Sequence, residues 1–100
     1  MIKWTRSLRI ASAKYFPQAV QWSKDIAEFV SKKYNIQVSV YMDIFGEIGM
    51  VRWFCDYPDL GAMERVLNQL TTDQEYWQKV IQASDLIMQG SVYDVVMRAI

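Results

Sequence analysis

Val51-Arg-Trp-Phe-Cys-Asp-Tyr57, Pro58-Asp-Leu60, Gly61-Ala-Met-Glu-Arg-Val-Leu-Asn-Gln-Leu70 and Thr71-Thr-Asp-Gln-Glu-Tyr-Trp77 run on without interruption, and their reading decides the fold. The first piece alternates. Val51, Trp53, Cys55 and Tyr57 share one side, and Arg52, Phe54 and Asp56 the other, which is the period of a strand. Pro58 lacks an N–H and ends the strand, and Asp59 is placed to cap the next helix. Leu60, Met63, Leu67 and Leu70, with Val66 beside them, recur at three- and four-residue spacing and make the apolar stripe of that helix. Thr71-Thr72 breaks the stripe. Thr72 and Glu75 have the spacing of a capping box, so a second helix is expected from there, with Tyr76, Trp77, Val80, Ile81 and Ala83 on its apolar side.

Upstream, residues 2–10 alternate as well, with Ile2, Trp4, Leu8 and Ile10 on one side. Arg6 falls on this same apolar side. A buried lone charge is costly, so Arg6 must reach solvent, pair with a carboxylate, or mark a bulge that flips the strand. Residues 14–34 have helical spacing, with Phe16, Ala19, Val20, Ile26, Ala27, Val30 and Tyr34 in one stripe and Tyr15, Trp22 and Phe29 widening it. An arc this broad fits either an extended core contact or a helix that also touches a second subunit or a ligand. Asn35 ends the helix. Ile36 to Met42 alternate as a strand, and Gly46 and Gly49 supply a turn into the strand at 50–57. After Gly90-Ser91, residues 92–98 form the last strand, with Tyr93, Val95 and Met97 on one face and Val92, Asp94, Val96 and Arg98 on the other. The order is strand, helix, strand, strand, helix pair, strand: an α+β, ferredoxin-like βαββαβ domain with a four-stranded antiparallel sheet and its second helix split in two. One hundred residues make a single domain, 1–100.

Composition narrows the function classes. Eleven basic and eleven acidic residues cancel, which tells against nucleic acid as a partner. Cys55 is the only cysteine, so neither a disulfide within the chain nor a multi-cysteine metal site is available, and its apolar surroundings predict a buried, inert thiol. There is no histidine. Catalysis by Ser-His-Asp or Cys-His, histidine metal ligation and histidine-ligated haem are thereby excluded. No metal and no cofactor are expected. No apolar run approaches the ~20 residues of a membrane-spanning helix, and Lys3, Arg6 and Arg9 interrupt any signal-peptide core; the cytoplasm is the expected location.

The segment Trp53-Phe-Cys-Asp-Tyr-Pro-Asp-Leu60, followed by Asp73-Gln-Glu-Tyr-Trp-Gln78 and Gly90-Ser91, resembles the NIPSNAP family over residues 50–98. That family lies within the dimeric α+β barrel superfamily. The resemblance implies a homodimer whose two sheets meet face to face as a barrel. Relatives include cofactor-independent monooxygenases, isomerases, haem-degrading enzymes and proteins of no known activity; the lack of histidine tells against the haem-degrading branch. If the cleaner apolar strand faces pack on the helices, the opposite faces line the barrel. Tyr41, Arg52, Phe54, Asp94 and Arg98 are then the candidate ligand-binding residues, surrounding a chamber between the sheets for a small anionic or aromatic organic molecule. Arginine presents a planar fork suited to carboxylates, Tyr41 adds a donor and an aromatic wall, and Phe54 adds apolar surface. Arg52 and Arg98 could instead pair with Asp43, Asp56 or Asp94 across the dimer. Any catalysis would rest on Asp94 or Tyr41 for proton transfer, and no catalytic residue is assigned. Three functions stay open: a small-molecule binder, a cofactor-independent monooxygenase- or isomerase-type enzyme, and a non-catalytic structural or interaction dimer.

Overall fold

The computed structural model describes residues 1–100. Its elements are β1 (Ile2–Arg9), α1 (Phe16–Tyr34), β2 (Val38–Met42), β3 (Met50–Tyr57), α2 (Leu60–Thr71), α3 (Gln74–Gln82) and β4 (Tyr93–Arg98), with short 3-10 turns at Ala13–Tyr15 and Ser84–Leu86. The strands form one sheet in the order β2-β3-β1-β4. Every neighbouring pair is antiparallel. This is the ferredoxin-like arrangement, and the helices cover one face of the sheet.

The alternating strands account for that division. Ile2, Trp4, Leu8 and Ile10, together with Val51, Trp53, Cys55 and Tyr57, are buried beneath Ala19, Ile26 and Ala27 of α1 and Met63 of α2. Arg6↔Trp53 and Trp4↔Cys55 are direct neighbours in the ladder, so these side chains stand on one face. Trp53 anchors the layer: its indole meets Trp22 edge to face at 6.0 Å and donates to the Ser23 carbonyl at 3.1 Å. The broad apolar arc of α1 has its reason here, because Trp22 reaches past the sheet and donates to the Lys79 carbonyl at the end of α3. Asn35 ends α1 in the left-handed conformation, φ 53°, as an αL cap requires. The Asp59 carboxylate accepts from the Ala62 N–H at 2.8 Å and caps α2, a contact worth about 1 kcal/mol.

Three expectations are corrected. The cap of α3 is Asp73 and not Thr72: its carboxylate accepts from the Tyr76 N–H at 3.1 Å. β2 begins at Val38 and not Ile36, because Val38 donates to the Ser31 hydroxyl as the chain leaves α1. The faces of β4 are reversed. Arg6 pairs with Asp94 and Trp4 with Val96, which puts Asp94, Val96 and Arg98 on the helix-covered side; Tyr93, Val95 and Met97, opposite Ser7, Thr5 and Lys3, lie on the open side. The physical reason is that β4 is an exposed edge strand with apolar residues on both parities, so hydrophobicity alone does not orient it. No helix is long and apolar enough to cross a membrane.

Candidate functional site

The reversal of β4 divides the five candidate residues between the two faces. Tyr41, Arg52 and Phe54 stand together on the open face. Asp94 and Arg98 do not join them. Arg98 lies opposite Ile2 at the far end of β4, exposed and without a side-chain partner.

On the open face, Tyr41 meets Phe54 edge to face at 5.5 Å. With Lys3, Asp43, Arg52 and Asp56 they line a wide polar groove of about 530 Å³. Arg52 is held firmly in it. Its Nε and Nη2 donate to the two oxygens of Asp43 at 2.9 and 3.0 Å, and its Nη1 donates to Ser7 Oγ at 3.1 Å and to the Tyr93 hydroxyl at 2.9 Å. Four of the five guanidinium N–H groups are thus engaged, and the side chain ties β1, β3 and β4 to the end of β2. The hydrogen bonds that Arg52 donates to Asp43 and Tyr93 raise its pKa further, and Arg52 in turn holds Asp43 below the usual carboxylate range. Arg52 is fixed as a cross-strand tie.

The deeper feature lies on the other side, between the sheet and the helices. A cavity of about 300 Å³ opens there, walled by Trp4, Trp22, Trp53, Tyr76, Trp77 and a ring of aliphatic side chains. Arg6 is the only charged residue in its lining. The charge that looked misplaced in the sequence stands at the polar end of an apolar chamber, and it is paired: Nε and Nη2 donate to the Asp94 oxygens at 2.8 and 2.9 Å. Nη1 donates to the Tyr76 hydroxyl at 3.2 Å. The guanidinium also lies 5.2 Å from the centre of the Trp4 ring, within cation–π range. Burial raises the Asp94 pKa, but the hydrogen bonds and charge of Arg6 outweigh it and leave the carboxyl below its usual range. The bond to Asp94 raises the Arg6 pKa against the opposing effect of burial.

α3 roofs the cavity, and Asp73 fastens α3 to α1. The Tyr34 hydroxyl donates to Asp73, and Lys33 Nζ lies 2.9 Å from the same carboxylate. With the cap bond from Tyr76 these contacts hold Asp73 at about 2. Burial, reinforced by the bond to Asp73, pushes Tyr34 up to about 12. Trp77 is pinned by its donation to the Thr71 carbonyl at 2.9 Å. Cys55 is buried below the sheet face and burial raises its thiol pKa, as its apolar context predicts. No cluster of three carboxylate or cysteine groups could hold a metal ion.

Residue-by-residue reading missed Tyr76 and the tryptophan walls as site components, because each of them alone reads as core. Arg6 was the available signal: a lone cation on an apolar face asks for a carboxylate on that same face, and Asp94 is the one that the register supplies.

No protein-family model and no curated protein matches the sequence. Solved structures do match the fold. An uncharacterised NIPSNAP domain protein from Burkholderia xenovorans superposes with a TM-score of 0.81 at 15% identity, covering 100% of this chain and 95% of the other. A NIPSNAP family protein of unknown function from Agrobacterium tumefaciens gives 0.80 at 15% identity, covering 99% and 87%. An antibiotic biosynthesis monooxygenase gives 0.73 at 13% identity, covering 100% and 99%. At these identities the likeness is one of fold.

Proposed function

We propose that this chain, with the fold of NIPSNAP domain proteins and of an antibiotic biosynthesis monooxygenase, is a homodimeric small-molecule-binding protein whose ligand occupies the helix–sheet cavity of each subunit. The observation that carries the reading is the cavity itself: an apolar chamber of about 300 Å³ with one charged residue, Arg6, in its lining. Ligand sites are typically of this kind, mostly apolar with a few convergent polar groups, and 300 Å³ is at the small end of their range. The open-face groove with Tyr41, Arg52 and Phe54 is better suited to subunit contact, since Arg52 has little hydrogen-bonding capacity left for a ligand. Tyr41, Tyr93, Val95 and Met97 are 42–61% exposed there, on a face that no helix of the same chain covers. Burying apolar area of this kind favours association by about 25 cal/mol per Å². Binding is supported over catalysis because nothing at the polar end of the cavity is placed to take a proton. Asp94 is acidic, and its oxygens already accept from Arg6 and from the Trp4 indole.

The test is a thermal-shift screen of small aromatic compounds on wild type and on Arg6→Met, together with sedimentation equilibrium at micromolar concentration. Stabilisation by several degrees, dependent on Arg6, and a dimer mass are expected. A wild type that no compound stabilises would remove the binding reading, and a monomer would remove the dimer. Oxygen consumption with a stabilising compound would move the reading to an enzyme.

A further inference from the structure

We infer that the polar end of the cavity selects its ligand by an uncharged hydrogen-bond acceptor, a ketone-type carbonyl carried on a flat apolar body, and discriminates against the corresponding carboxylate. This rests on the cavity reading above and deepens it by naming the chemical class that fits.

A guanidinium has five N–H groups and no acceptor. Arg6 commits two of them to Asp94 and one to Tyr76. Two remain. The Tyr76 hydroxyl accepts the bond from Arg6, and its own proton meets no acceptor of the chain. Asp94 does not line the cavity; Arg6 and Tyr76 do. The chamber at this end is therefore faced mainly by donors, the two remaining Arg6 N–H groups and the Tyr76 O–H, against the one lone pair that the Tyr76 oxygen keeps. Arg6 is about one-third exposed, so water can serve these donors while the chamber is empty; an occupant that displaces that water is favoured when it presents an acceptor oxygen and disfavoured when it presents only C–H groups.

Charge then separates the acceptors from one another. A lone arginine in an apolar chamber would favour a carboxylate, which would neutralise it. Arg6 is already neutralised by a two-pronged ion pair with Asp94 at 2.8 and 2.9 Å. A ligand carboxylate would shed its hydration to enter, find no unmatched cation, and lie beside the Asp94 negative charge across the guanidinium. Such an anion is penalised twice, by desolvation and by like-charge repulsion. A carbonyl oxygen needs donors alone and incurs neither penalty. The walls set the rest of the molecule: the rings of Trp4, Trp22, Trp53 and Trp77 offer flat apolar surfaces to an aromatic or otherwise planar body.

The experiment uses two matched series that differ only in the polar group: 2-acetylnaphthalene, 2-naphthoate and 2-ethylnaphthalene, and the smaller acetophenone, benzoate and ethylbenzene. Each is titrated calorimetrically into wild type, Asp94→Asn and Tyr76→Phe at neutral pH. Wild type is expected to bind the ketone of a series about 10-fold or more tighter than the carboxylate and several-fold tighter than the hydrocarbon. Tyr76→Phe should lower ketone affinity by about 3- to 10-fold and leave the hydrocarbon unchanged. Asp94→Asn leaves the Arg6 charge unmatched and should raise carboxylate affinity by about 10-fold. A wild type that prefers the carboxylate, or that binds ketone and hydrocarbon alike, overturns the selectivity while leaving the cavity as a binding site. Failure of all six compounds to bind overturns both. The wild-type comparison needs no variant to fold, so an unstable Asp94→Asn protein does not shield the inference.

Discussion

Each face of the sheet carries one arginine gripped by one aspartate in the same two-pronged geometry, and the two pairs have opposite consequences. On the open face, Arg52 and Asp43 are bound into a lattice with Ser7 and Tyr93 that ties neighbouring strands together. On the covered face, Arg6 and Asp94 stand at the edge of a chamber, and part of the guanidinium is left unengaged beside Tyr76. The pair itself does not distinguish a structural device from a recognition device. The distinction lies in how many N–H groups remain after the protein has satisfied its own acceptors, and in whether the remainder faces a space that a molecule can enter.

The two faces are most easily told apart along β3, where Trp53 and Phe54 are adjacent in sequence and point to opposite sides. Trp53→Ala should cost about 3–5 kcal/mol of unfolding free energy in urea titration, as for other large aromatic truncations in a core, while Phe54→Ala should cost well under half of that. Equal losses would mean that the open face is as tightly packed in solution as the covered one. The next effect is on association. Val95→Lys, on the open face, should weaken dimerisation by about 100-fold or more in sedimentation equilibrium; Val96→Lys, one residue on and facing the other way, should not. Similar behaviour of the two would contradict the β4 register. Arg52→Met should lower Tm by roughly 5–10 °C, because Asp43, Ser7 and Tyr93 all lose a partner, and Arg6→Met by less, since Arg6 and Asp94 are each about one-third exposed and water can replace the lost contact.

The smallest effect is a pH dependence. Asp73 sits at about 2 in the folded chain, against about 3.9 when unfolded. A depressed pKa contributes stability that is fully present above pH 4 and is lost as pH falls from about 4 towards 2. Asp73→Asn should reduce the acid sensitivity in that window, leaving the share that Asp43 and Asp94 contribute, as followed by circular dichroism during acid titration. A wild-type profile with no greater acid sensitivity than the variant would show that Asp73 does not fasten α3.

Much of the fold was legible in the sequence, and for local reasons. β3 runs from Met50 to Tyr57, as its alternation and Pro58 require, and Asp59 caps α2 from the position that its spacing indicates. Elements whose side chains are consistently divided between core and water announce themselves. β4 is not so divided. It is an edge strand, exposed along its whole length, and Val92, Val95, Val96 and Met97 satisfy either orientation. Only the register with β1 resolves it, through Arg6 and Asp94. The capping of α3 was ambiguous for a related reason. Thr72 and Asp73 are both good caps, and the choice is made by residues distant in sequence, Tyr34 and Lys33, that converge on Asp73. The cavity was illegible altogether, because it is an absence of packing among residues that each read as core.

The indole rings around that absence have an optical consequence. All four tryptophans of the chain border the cavity, and Trp22 and Trp53 stand edge to face with centroids 6.0 Å apart, close enough for their excited states to mix. The native protein should accordingly show a structured near-ultraviolet ellipticity, and any occupant absorbing near 350 nm would draw energy from all four tryptophans at once. The chamber thus reports its own filling by the extinction of nearly all intrinsic light, with no label attached.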